Sequence, residues 1–135
     1  VNKIIDGIKV GRFREIAEKV QNDLDRITMT TFIDSVRAGH EDSLRLLEQV
    51  EGFIADVLSM LVNIFAPKKI ILFGELAELG DILLDGVREQ VSRDIIKENN
   101  NGLKIMASEF GRNLGAMGAA ALVIQNAFEF LEEKI

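Results

Sequence analysis

At 135 residues, 47% hydrophobic and 28% charged, the chain is long enough for one modest domain with a real core, and its make-up is that of a soluble globular protein. A formal charge of −6 argues against this stretch contacting nucleic acid, which takes clustered Lys and Arg to neutralise phosphates. The absence of cysteine excludes disulfides, thiolate metal sites and thiol catalysis, and fits a reducing cytoplasm.

The N-terminus does not read as a signal peptide, because Asp6, Gly7 and Lys9 interrupt any apolar core. No apolar run approaches the about 20 residues needed to span a bilayer, so a cytoplasmic location with no membrane partner is expected. The chain opens on Val1 and not Met, and is expected to be a piece of a longer protein.

From Val1 to Leu24, Ile4, Ile8, Phe13, Ile16, Ala17 and Val20 recur at roughly helical spacing, with Gly7 and Gly11 interrupting. An irregular start and a helix from about Arg12 to Leu24 are predicted. A short helix then follows Thr30, carries Phe32, Ile33 and Val36, and stops at Ala38-Gly39. The strongest periodicity is the next one: Leu44, Leu47, Val50, Ile54, Val57, Leu58, Leu61 and Phe65 share a stripe. That helix is predicted to begin at the cap region Asp42-Ser43 and to stop before Pro67, which restricts Ala66 away from helical geometry.

Lys69 to Phe73 and Leu103 to Ala107 read as strands. Between them a helix from Leu79 to Lys97 buries Ile82, Leu83, Val87, Val91 and Ile95, and a polar turn covers Asn99 to Gly102. Strand, helix, turn and strand make a βαβ unit, so two parallel strands are expected. A last helix, from about Gly115 to Glu133, begins with Ala116, Gly118, Ala119, Ala120 and Ala121, small side chains that predict tight packing on the sheet or a neighbouring helix. With no repeat and no linker, residues 1–135 are treated as a single unit of α/β class.

Nothing in the sequence resembles a hydrolytic or redox site, and no catalytic residue and no metal ligand is nominated. The lone histidine, His40, has no cysteine or second histidine to help it hold a metal and reads as a solvent-facing residue at a helix start. Lys68-Lys69, the densest basic pair, reads as a solvated junction. Glu75, Glu78 and Asp81 follow the first strand closely enough for a metal or general base, but carboxylates near the first turn of a helix also satisfy its dipole. Gly74 after the first strand, and Gly111, Gly115 and Gly118 near the last helix, are places where a nucleotide or phosphate could approach backbone amides. Their alternative reading is turn geometry and close helix packing, since GRNLGAMG is neither a Walker loop nor a dinucleotide fingerprint.

Five features in order, across about Thr30 to Phe130, carry a resemblance. They are the turn and helix RAGHEDSLRLLEQ (Arg37 to Gln49), the helix end Leu61 to Pro67 (LVNIFAP), and the strand with its glycine, Lys69 to Gly74. The helix body Asp85 to Gln90 (DGVREQ) follows, and a GAxGAAxL-like segment within Gly111 to Ala127 closes the series. Together they resemble the ROK family of repressors, open reading frames and sugar kinases. The resemblance implies an actin-like ATPase (ribonuclease H-like) architecture, of which this chain would be a helix-rich piece, the carboxyl part of the larger lobe. It also implies that the DxGxT-type phosphate loop, the catalytic aspartate, the sugar-binding residues and the cysteine-rich zinc motif precede this region, for none occurs here.

Sugar kinases of this family usually carry a run of glycines after the strand, where this chain reads Phe73-Gly74-Glu75-Leu76. Glu75 and the bulk of Leu76 should hinder nucleotide approach, and the pattern resembles that of sugar-responsive repressors. The expected role is therefore the C-terminal effector-sensing and oligomerising part of such a regulator. A sugar would bind the full-length protein, and DNA would be reached only through an N-terminal domain outside this chain. The alternatives are a fragment of an ATP-dependent sugar kinase, with ATP and Mg²⁺ as cofactors, and a stand-alone structural or dimerisation module. Gly74, Glu75, Gly111, Gly115 and Gly118 are the candidate cofactor-binding residues, in the regulator a vestigial nucleotide cleft. With this much apolar helix surface, a homo-oligomer is expected.

Overall fold

Helices dominate the computed structural model, which describes residues 1–100, 102–109 and 115–123. In chain order these are α1 (Asn2–Lys9), α2 (Arg14–Lys19), a 3-10 turn (Leu24–Arg26), α3 (Met29–Arg37), α4 (Glu41–Phe65), β1 (Lys69–Leu72), a second 3-10 turn (Glu75–Leu79), α5 (Asp81–Asp94), α6 (Lys97–Asn100) and β2 (Lys104–Ala107). Residues 115–123 are helical. None of the described helices is long and apolar enough to cross a membrane.

The N-terminal region departs from prediction twice: the start expected to be irregular forms α1, and the helix predicted over Arg12 to Leu24 is cut to α2, beyond which Gln21 (φ 56°) and Asn22 (φ 59°) turn left-handed. Two short helices are separated by Gly11, at φ 84°, and Phe13, at φ 52°. Gly7, read from sequence as an interruption, lies buried within α1. A side chain there would have no room: a Cβ on Gly7 would stand 2.6 Å from the Phe13 ring. Phe13 is itself buried, and its left-handed backbone is tied down by Asp42 at the start of α4. The Phe13 N–H donates to Asp42 Oδ2 at 2.9 Å, and Arg12 Nε donates to Oδ1 at 2.9 Å.

A capping box closes the start of α3, with Thr28 and Thr31 each accepting the other's backbone N–H. Gly39, at φ 79°, ends that stretch as its sequence position predicts. Ser35 and Ser43, both buried, satisfy one another across the α3–α4 junction at 2.8 Å. α4 begins a residue or two before the predicted cap, with His40 as N-cap, and ends at Phe65, where Ala66 turns left-handed ahead of Pro67.

The buried side of α4 is not the whole predicted stripe. Leu47 and Leu58 are buried as expected, but the core side also takes Ser43, Ala55, Ser59 and Val62, while Val57, Leu61 and Phe65 are exposed. The reason is that α4 is apolar on more than one face, and hydropathy does not say which of them its neighbours cover. α5 supplies the main contact on the covered side. It buries Leu83, Leu84, Val87 and Val91, each contributing about 1.5–3 kcal/mol by leaving water. Ile82, predicted inside, is half exposed.

The predicted helix over Leu79 to Lys97 is divided. Gly80, at φ 58° and ψ −128°, occupies a region closed to side chains and separates the 3-10 turn from α5. Ile95, extended and buried, ends α5, so that α6 falls where a polar turn was predicted. β1 and β2 pair in parallel, as the βαβ reading requires, with Ile70 opposite Ile105 and Leu72 opposite Ala107. These four pack on or join the core, while Ile71 and Met106 point outward at 52% and 37% exposure.

The α4–α5 contact is close because Gly86 carries no side chain. A Cβ there would stand 2.6 Å from Glu51 Cδ. Burial against α5 raises the Glu51 pKa, and neighbouring Glu48 raises it further. Because the folded value lies above the unfolded one, ionised Glu51 opposes folding above that value, and the penalty disappears as acid protonates it. Glu51→Gln is therefore expected to stabilise the fold at neutral pH. The gain is about 0.5 kcal/mol, discounted for the solvent that still screens this half-buried group. Urea unfolding at pH 7 should show that difference, and the two proteins should converge in acid.

Candidate functional site

The carboxyl end of β1 is where an open α/β sheet offers its backbone to a ligand. Gly74 leaves the strand at φ 112° and ψ 178°, a conformation that residues with a Cβ rarely adopt. It delivers the chain into the Glu75–Leu79 turn, whose hydrogen bonds run from Ala77 N to Gly74 O (3.1 Å) and from Gly80 N to Ala77 O (3.0 Å). The turn is anchored from beneath: Leu79 is buried and Leu76 packs partly on the core. It is anchored from the side by Arg37 at the end of α3, whose Nη2 donates to the Glu78 carbonyl at 2.8 Å.

The four carboxylates of this region divide by role. Asp81, in the first turn of α5, accepts from Arg88 Nη1 at 2.9 Å. Asp85 accepts from the same nitrogen at 3.0 Å. Arg88 completes the set by donating from Nε to the Ile105 carbonyl at 3.0 Å, which fastens α5 to β2. The bond to Asp81 is the largest cause of the raised Arg88 pKa, opposed in part by burial. Asp81 thus holds structure. Glu75 and Glu78 belong to the turn, and no group of three His, Cys, Asp or Glu placed to hold a metal ion occurs among the described residues.

The structure places the nominated residues as follows. Gly74 and Glu75 sit together at the end of β1, Glu75 as the first residue of the 3-10 turn and exposed. Gly115 and Gly118 lie in the helical stretch 115–123, where a Cβ on either would meet nothing within 4 Å. That corrects the expectation of tight packing there. Every described residue of the stretch is exposed, and its small side chains offer little apolar area to hold it against a two-stranded sheet. Gly111, and the far part of the predicted last helix, lie outside the described residues.

His40 is the N-cap of α4, with Nδ1 4.0 Å from Glu15 Oε1 and the side chain 36% exposed, a helix-start residue as the sequence suggested. Lys68-Lys69 fall at the exposed junction of α4 and β1. Arg37, Gly80 and Arg88 shape the site without having been nominated. Arg88 lay three and seven residues beyond two aspartates, which is a helical signal for an ion pair. Arg37 carried no such signal, because its acceptor lies 41 positions away. Arg37→Ala is expected to loosen the Glu75–Leu79 turn by about 1 kcal/mol, the value of one hydrogen bond. Faster amide exchange at Ala77 and Gly80, with unchanged exchange in α5, would report it.

Chemically, the arrangement presents a glycine backbone beside a carboxylate-bearing turn.

Two parallel strands, a crossover helix and a glycine-ended first strand form a βαβ unit, and its likeness to a solved two-lobed enzyme identifies it as a piece of an actin-like ATPase lobe. The crystal structure of a ROK family glucokinase from Streptomyces griseus, in complex with glucose and AMPPNP, superposes with a TM-score of 0.71 at 21% identity, covering 86% of this chain and 39% of that one. The sequence pattern of the ROK family matches residues 12–126, and the chain belongs to that family. Its relatives include both regulators and an enzyme. The xylose repressor of Bacillus spizizenii is 21% identical over 119 residues, covering 88% of this chain and 31% of the repressor. The N-acetylglucosamine repressor of Escherichia coli O157:H7 is 27% identical over 100 residues, covering 74% and 24%. The glucokinase of Thermotoga maritima is 27% identical over 90 residues, covering 67% and 28%. The chain thus spans about a quarter to a third of the length of these curated relatives.

Proposed function

We propose that this chain is the C-terminal effector-sensing and oligomerisation part of a sugar-responsive ROK transcriptional regulator. The observation that carries the reading is the Gly74-Glu75-Leu76 sequence at the end of β1. One glycine turns the chain, and the exposed Glu75 follows it where a run of glycines would leave bare backbone for a nucleotide, while Leu76 packs toward the core. The similarity to the xylose and N-acetylglucosamine repressors supports it. In the whole protein a sugar bound between the lobes would shift the relation of subunits in a homo-oligomer, and operator DNA would be held by an N-terminal domain. This part contributes lobe structure, and its net charge of −6 suits a role away from DNA.

A second reading, part of an ATP-dependent sugar kinase, is favoured by the similarity to the Thermotoga maritima glucokinase. Gly74 and Glu75 would then line the adenosine side of a cleft, and Mg²⁺ would arrive with ATP.

One preparation separates the two readings: the protein expressed from its whole reading frame. The regulator is expected to bind DNA from upstream of its own gene, with affinity changed by one member of a panel that includes xylose and N-acetylglucosamine. It is also expected to show no thermal shift with Mg²⁺ and AMPPNP. ATP-dependent phosphorylation of a hexose by the same preparation would overturn the proposal in favour of the kinase.

A further inference from the structure

No further inference is drawn: the strongest candidate, the exposed apolar face of α4 formed by Phe53, Val57, Met60 and Ile64, carries nothing because no feature of the structure shows whether a second copy or the remainder of a longer protein covers it.

Discussion

Asp42→Ala is expected to destabilise the fold by about 2–3 kcal/mol, most of it from one carboxylate oxygen. Oδ2 accepts the Phe13 N–H at 2.9 Å, in a part-buried setting, and that residue holds φ at 52°. A hydrogen bond to an ionised acceptor is worth about 1.5–3 kcal/mol, and the left-handed backbone it restrains costs about 1 kcal/mol without such support. The other oxygen, paired with Arg12 at 2.9 Å, contributes less, because the Arg12 side chain is 47% exposed and water screens the pair. Arg12→Ala should therefore cost well under 1 kcal/mol, and the contrast between the two substitutions tests the assignment. With no Trp and no Tyr in the chain, far-UV circular dichroism during urea unfolding is the suitable signal.

The same contact gives an acid dependence with a definite sign. The Phe13 N–H, first, and Arg12, second, hold the Asp42 carboxyl below its usual value. A depressed folded value means that the carboxylate supports folding above the unfolded value, and that this support is lost as pH falls through the folded one. Wild-type stability should accordingly drop in strong acid by more than that of Asp42→Ala, and the gap between them should narrow. A gap that stays constant from neutral pH to below the usual carboxylate range would show that Asp42 acts through packing and not through charge.

How far such contacts were legible in the sequence depends on the separation of the partners. The βαβ unit was legible because each part is local: apolar runs at Lys69 to Phe73 and Leu103 to Ala107, with a helical period between them, leave few arrangements open. Pro67 likewise fixed the end of α4 within a residue. Gly7 and Gly11 read identically as interruptions, yet one lies inside α1 and the other ends up in the left-handed region. What separates them is the ring of Phe13, whose position depends on Asp42, 29 residues away. The same limit applied to α4, whose covered face is chosen by α5 and not by its own hydropathy.

At the candidate site the division repeats. Gly74 was visible as a glycine directly after an apolar run, and the two residues behind it gave the contrast with a glycine-rich turn. Gly80 was absorbed into a helical pattern, because the apolar spacing continues across it while the backbone does not. Arg37 and Arg88 hold the site through backbone carbonyls, of Glu78 and Ile105, and a carbonyl leaves no mark on side-chain patterning. Sequence thus located where the chain turns, and only the assembled fold shows what steadies the turn.

Gly7→Val is expected to cost about 3 kcal/mol, the upper part of the range for forcing extra methyls into a packed site. Two effects oppose one another in any substitution here. Replacing a helical glycine gains up to about 1 kcal/mol with Ala, and less with β-branched Val. Against that, the new Cβ stands 2.6 Å from two carbons of the Phe13 ring, closer than side chains tolerate. The ring has nowhere to go, since Phe13 is only 3% exposed and its backbone is pinned by Asp42. Gly7→Ala should fall between, at about 1 kcal/mol of net loss. If the clash operates through the pinned ring, freeing the pin should relieve it. Gly7→Val combined with Asp42→Ala is then expected to cost less than the sum of the two single substitutions, by about 1 kcal/mol in a double-mutant cycle. Strict additivity would mean that the ring yields without its anchor being disturbed, and that Gly7 is glycine for some reason other than the room it leaves Phe13.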